Sequence, residues 1–281
     1  MQLTVIEAVC ETGGANNEDI WGQAGGVVWV MDGATGLSDH PLIAGPSDAA
    51  WFVGQVDAGL RTALAEPVAT QAALVQAVRA TAHAAKGLSD TSGVGHHELP
   101  CASFVAVRRV DEETLEFANL GDCKLLWREG GGSVGNFGTC GVAALDELIA
   151  AQVAADLARG MAPEVVRQNA KALARENRKL MNRPGGYWIL DLSGEGAPHL
   201  QLQTERPAMA MDLLLMSDGF YRLVDVYGAY DDAGLLEAAT REGLASLYDQ
   251  VRAIEAGDPE CRAYPRNKPR DDAAAVLLRF A

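Results

Sequence analysis

Residues 3–10 mix β-branched and polar positions and predict a strand, and 25–31 (GGVVWVM) form a short apolar run that ends at Asp32-Gly33 and predicts a buried strand. The period then lengthens. After Pro46 and Ser47, a suitable helix N-cap, the residues Phe52, Val56, Leu60 and Leu64 recur every fourth position and predict a helix. Pro67 suits the first turn of a second helix carrying Leu74, Val75 and Val78. Residues 101–109, 114–120 and 123–128 return to strand character, divided by a short acidic gap and by Gly121-Asp122. Gaps this short predict an antiparallel meander, because only hairpins close over them.

Helical spacing resumes over 142–181, with Leu145, Leu148, Ile149, Val153 and Leu157 on one face and Val166, Ala170, Leu173 and Leu180 on another. Strands follow at 187–192 and 199–203, and a buried one at 212–216 runs into Ser217-Asp218-Gly219. Helices are predicted at 231–240 and 243–256, then a loop rich in proline and arginine over 264–270, and a last strand at 273–280. Runs of closely spaced strands between runs of helices indicate an α+β fold with antiparallel sheet covered by helices. No internal repeat or long polar linker interrupts residues 1–281, so one domain is expected.

Composition narrows the function classes. Hydrophobic residues make up 48% of the 281, enough for a substantial core. Against 38 Asp and Glu stand 23 Lys and Arg, a formal charge of −15, so the surface repels nucleic-acid backbones and anionic lipid headgroups. No apolar run approaches the ~18 residues of a membrane span, and the N-terminus lacks signal-peptide features. The five cysteines (10, 101, 123, 140 and 261) are scattered and form no Cys-x-x-Cys pair, which argues for a reducing cytoplasm and against a disulfide framework or structural zinc.

The aspartates carry the chemistry. Asp32 and Asp218 each follow an apolar strand and precede glycine. Asp122 sits between two strands, Asp271 and Asp272 open the last one, and Asp19 follows the first strand and its turn. Each alone is ordinary turn chemistry. Strand ends of one sheet converge, however, and convergent carboxylates repel unless a cation binds them or some protonate. Hard oxygen donors suit magnesium or manganese. Competing motifs fall away. The glycine-rich stretch Gly130–Gly135 satisfies both G-x-S-x-G and G-x-G-x-x-G, but neither strand–turn–helix context surrounds it, and it reads as a hairpin tip. His96-His97-Glu98 reads as a solvated loop, and the basic stretch 175–183 as the wet face of a helix.

Five motifs in order resemble the metal-dependent serine/threonine phosphatases of type 2C (PPM) in their bacterial form. They are Asn17-Glu18-Asp19, Asp32-Gly33-Ala34-Thr35-Gly36, Gly121-Asp122-Cys123 (with cysteine in place of the usual serine), Ser217-Asp218-Gly219 and Asp271-Asp272. The resemblance implies a sandwich of two antiparallel β-sheets flanked by helices, in α-β-β-α layers, with a variable flap at about 130–185. It implies two or three Mn2+ or Mg2+ ions held by Asp19, Asp32, the Gly33 carbonyl, Asp122, Asp218 and Asp271. Asp32, Asp218 and Asp271 would then act through metal-activated water, a bridging hydroxide attacking phosphorus directly.

The implied substrate is phosphoserine or phosphothreonine in proteins, with a cognate serine/threonine kinase as the opposing partner. A small phosphorylated metabolite, or a non-catalytic phosphatase-like binding module, are the alternatives. Two departures bear on this. The family's phosphate-clamping arginine corresponds to Gly14, leaving Arg206, Arg222 or Arg270 as replacements. The family's leaving-group histidine is absent at Ala34 and Leu37, leaving His40 as a weak general-acid candidate.

Overall fold

The computed structural model describes residues 1–281 apart from 39–41, 44–46, 89–93, 139–140 and 267, and apart from the side chains of 141, 143 and 146. Among the described residues the strands form two antiparallel sheets. One runs in the order β1 (Leu3–Glu11), β11 (Ala273–Phe280), β10 (Met211–Met216), β6 (Lys124–Glu129), β7 (Gly135–Phe137). The other runs β2 (Asp19–Ala24), β3 (Val27–Ala34), β4 (Cys101–Arg109), β5 (Leu115–Leu120), β9 (Gln201–Glu205), with the two-residue β8 (Leu190–Asp191) beside β4.

Period-two alternation builds the layers. On β3, Val28 and Val30 meet Leu213 and Leu215 of β10 and Ala274, Val276 and Leu278 of β11 in the core between the sheets. The intervening Val27, Trp29 and Met31 face outward onto α1 (Asp48–Ala63) and α2 (Thr70–Lys86). The outer face of the other sheet, with Leu214, Met216, Ala273, Ala275 and Leu277, packs on α5 (Asp218–Asp225), α6 (Asp232–Glu242) and α7 (Leu244–Gly257). Both faces of each sheet are therefore apolar, and the architecture is an α-β-β-α sandwich.

Ser47 caps α1 as expected, its hydroxyl accepting from Ala50 N at 3.0 Å, whereas Gly25-Gly26, included in the expected strand 25–31, are both at positive φ and turn the β2–β3 hairpin ahead of β3. The expected meander does not extend through three strands. β4 and β5 pair, but β6 leaves for the opposite sheet and pairs with β10 and β7. Gly121-Asp122 is thus a crossover between sheets, where a two-residue gap had suggested a hairpin. β2 and α5 were not foreseen. β2 is short and carries Gly22, whose missing side chain leaves room for the Trp29 ring. Pro67 lies upstream of α2 and not in its first turn. The stretch 142–181 divides into α3 (Gly141–Ala158) and α4 (Pro163–Arg178), which pack through Ile149, Val153, Val166 and Ala170, while Leu148 and Leu180 stay exposed.

Candidate active site

Asp32 continues the phase of Val28 and Val30, so its side chain closes one end of the core between the sheets. Asp19 is its direct cross-strand partner on β2 and lies on the same face. Asn17 prepares that entry to β2: its Oδ1 accepts from Asp19 N at 3.0 Å and its amide donates to the Cys10 carbonyl at 3.3 Å. Gly33 N donates to the Glu18 carbonyl at 3.0 Å, and a Cβ at Gly33 would meet that carbonyl oxygen at 2.5 Å, so only glycine permits this approach.

The other carboxylates arrive at the same end from the other sheet and its connections. Asp122 sits on the β5–β6 crossover. It accepts from Ser103 Oγ at 2.5 Å, and Ser103 is the cross-strand partner of Asp32. Asp218 opens α5 immediately after β10, and Asp271 precedes β11. Asp272 is a structural ligand of the chain itself: its Oδ1 accepts from Gly13 N and its Oδ2 from Glu18 N, each at 2.7 Å, tying the β1–β2 loop to the start of β11.

This convergence shifts the carboxylates. Burial, followed by the negative charges of Asp19 and Asp218, pushes Asp32 well above the ordinary carboxylate range. Burial foremost also raises Asp19, with Asp271 and Asp218 adding to it against a hydrogen bond from Ser217. Asp122 rises to about 6 through burial and the charge of Asp218. Asp218 moves the other way. Burial would raise it, but Arg222, a hydrogen bond from Asp32 and Lys268 outweigh that and hold it low. Asp32 and Asp218 are thus hydrogen-bonded to each other and shifted in opposite directions.

The donor set on one side of this cluster suits a hard divalent cation. Asp19, Asp32, Asp122 and Asp218 offer oxygen donors in a largely desolvated position, and the buried Asp19 Oδ2 has no hydrogen-bond partner. On the other side, Asp271 is engaged by Arg222 through Oδ2 and by Lys268 through Oδ1. Among the described residues no three His, Cys, Asp or Glu side chains are closed into coordination geometry.

None of the three arginines considered for the phosphate clamp is established in that role. Arg222 is buried against Asp271 and Glu255. Arg206 is exposed and interacts with Asp111, in the β4–β5 hairpin at the far end of the sheet, and Arg270 is exposed. Gly14 is exposed too. His40 falls outside the described residues.

The basic stretch is more than a wet helix face. From α4, Arg175 Nη2 donates to the Leu37 carbonyl at 2.5 Å and Arg178 Nη1 to the Thr35 carbonyl at 2.9 Å, docking the α3–α4 pair on the loop after Asp32-Gly33. His96-His97-Glu98 forms one short turn, with His96 Nδ1 3.3 Å from Asp191 Oδ2. Sequence reasoning did not foresee Lys268 at the site, took Arg222 as a phosphate-clamp candidate rather than a partner of Asp271, and took Arg178 as part of a solvated helix face. Charge at a residue gives no sign of direction, and only the i,i+3 spacing of Lys268 and Asp271 or the i,i+4 spacing of Asp218 and Arg222 hinted at pairing.

No family model matches the sequence, and no curated protein does. Solved structures do match in shape over nearly the whole chain. The serine/threonine phosphatase PstP/Ppp of Mycobacterium tuberculosis aligns with TM-score 0.56 at 18% identity, covering 99% of this chain and 98% of that one. The catalytic domain of PstP in complex with two manganese ions aligns with TM-score 0.55 at 17% identity, covering 99% and 97%. PppA, a regulatory component of the T6SS in Pseudomonas aeruginosa, aligns with TM-score 0.60 at 13% identity, covering 99% and 97%. At such identities the shared property is the fold.

Proposed function

We propose that this chain is a divalent-metal-dependent phosphatase that hydrolyses phosphate monoesters, with phosphoserine and phosphothreonine in proteins as the preferred substrate class. One observation carries the reading. Asp19, Asp32, Asp122 and Asp218, from four separate stretches of sequence, meet at one end of the sandwich, and a buried Asp19 oxygen is left without a partner. The fold shared with serine/threonine phosphatases, and the two manganese ions in the PstP catalytic domain, support it.

When bound, Mn2+ or Mg2+ supplies a Lewis acid and a hydroxide at neutral pH. The chain's own residues do the rest. Asp19, Asp32, Asp122 and Asp218 would hold the cation, with the Gly33 carbonyl as the expected backbone ligand. Ser103 fixes Asp122 through its hydroxyl. The oxygen of a water attacks phosphorus opposite the leaving oxygen, the P–O ester bond breaks, and the proton the water gives up ends on the leaving oxygen. No protein nucleophile is required. The α3–α4 pair, anchored by Arg175 and Arg178 beside this end of the sandwich, is positioned to select substrates within a single domain.

A second reading, hydrolysis of a small phosphorylated metabolite, is favoured by Gly14 in place of the peptide-phosphate arginine. Both are tested together. Manganese-dependent hydrolysis of p-nitrophenyl phosphate is expected, and it is lost in Asp32→Ala and Asp218→Ala with the fold intact by circular dichroism. Comparing kcat/KM for phosphothreonine peptides and phosphorylated metabolites then ranks the substrates. A folded, manganese-treated protein without hydrolytic activity would leave only a binding module.

A further inference from the structure

We propose that Lys268 and Arg222 take the place of one divalent cation, so that this chain binds a single ion on Asp19, Asp32, Asp122 and Asp218 and none on Asp271. The inference rests on the metal-dependent reading above and specifies its stoichiometry.

The geometry is that of an internal counterion. Both carboxylate oxygens of Asp271 are occupied: Lys268 Nζ lies on Oδ1, Arg222 Nη2 lies on Oδ2, and Asp272 N adds a hydrogen bond to Oδ1 at 3.1 Å. The arrangement is held from behind. Arg222 is buried, with Nη1 3.9 Å from Oε1 of Glu255, whose side chain is fully buried. Asp271 N donates to the same Glu255 oxygen at 3.3 Å, and Arg252 Nη2 donates to the Asp271 carbonyl at 2.6 Å. Lys268 rides on the loop before β11 with half its side chain exposed, yet its ammonium feels Asp271, Asp218 and Asp32 together.

Charge makes the substitution exact in sign and size. Two side-chain cations carry the charge of one divalent ion. With Lys268 and Arg222 in place, one further ion neutralises the carboxylates as fully as two would without them. A second ion would have to displace the Lys268 ammonium and then sit beside the Arg222 guanidinium. In the opposite half, among the described residues, no ion pair forms with Asp19, Asp32 or Asp122: Lys124, whose charge reaches Asp122, donates to the Gly138 carbonyl at 2.7 Å, and Asp19 Oδ2 is buried without a hydrogen-bond partner.

The test is Mn2+ titration of the full chain, followed by calorimetry and by electron paramagnetic resonance of the bound ion. Wild type is expected to bind one Mn2+ with the spectrum of an isolated ion. Lys268→Met removes the ammonium from Asp271 Oδ1 and is expected to bind two, with the spectrum of a spin-coupled pair. Lys268→Arg, which keeps the charge, is expected to stay at one. Two ions in wild type would overturn the inference and leave the phosphatase reading standing, and this arm needs no variant. One ion in a Lys268→Met protein with wild-type circular dichroism, or two in Lys268→Arg, would also overturn it. Failure of every protein to bind Mn2+ would overturn the metal-dependent reading itself.

Discussion

Asp19 on β2 and Asp32 on β3 face each other directly across the β2–β3 ladder. Like charges in this position repel, and here the pair is desolvated as well. Asp32→Asn removes the cost of ionising the buried Asp32 carboxyl beside Asp19 while keeping a donor for Asp218. In chelator-treated protein at pH 8 it is expected to raise stability by about 1 kcal/mol. The same variant is expected to lose the rise in Tm that Mn2+ confers on wild type. Thermal unfolding with and without Mn2+ reads both effects, and a destabilised chelator-treated variant would contradict the proposed repulsion.

The pH dependence of the chelator-treated protein follows from Asp122. Burial and the Asp218 charge raise it from 3.8 to about 6. The folded chain therefore binds more protons than the unfolded chain between those values. This contribution to stability is fully present below the unfolded pKa and is lost as pH rises through about 6. Asp19 and Asp32 are raised as well and act in the same direction, whereas Asp218, held low, opposes them. Tm is expected to fall by several degrees between pH 5 and pH 8, with a shallower slope in Asp122→Asn. Equal slopes in the two proteins would remove Asp122 from the account.

Gly14 is exposed, and a Cβ built there meets nothing within 4 Å. Gly14→Arg is thus expected to leave Tm unchanged. If the position corresponds to the phosphate clamp, the variant gains a bidentate phosphate ligand, and kcat/KM for phosphothreonine peptides rises about tenfold or more, mainly through KM. No gain over wild type would place substrate recognition elsewhere.

Gly121 has φ +92, and a Cβ there would lie 2.3 Å from Ser103 Oγ. Gly121→Ala is expected to cost about 1–3 kcal/mol in urea unfolding, since the strained conformation and the clash fall on the crossover between sheets. Ser103 also orients Asp122, so activity at temperatures where the variant is fully folded is expected to drop further than stability alone explains. Wild-type activity in the folded variant would show that the Ser103–Asp122 contact is dispensable.

The fold was legible where local rules act locally. Ser47 and the fourfold spacing of Phe52, Val56 and Leu60 marked α1, and the apolar run 273–280 coincides with β11. The crossover at Gly121-Asp122 was illegible because a two-residue gap looks the same whether the next strand pairs with its predecessor or joins another sheet. β2 escaped because Asp19, Gly22 and Gln23 dilute its pattern, and its identity as a strand comes from pairing with β3.

The motif aspartates, their order and the oxygen chemistry they offer were determined by the sequence alone, because residue type and spacing are written in it. The tertiary structure decided which of them are paired with side-chain cations. Arg222 and Lys268 close on Asp271 only after α5 and the loop before β11 are packed side by side, and the pairing of β2 with β3 sets Asp19 against Asp32. Electrostatic energy depends on distance and desolvation in three dimensions, and neither is encoded at any single position of the chain.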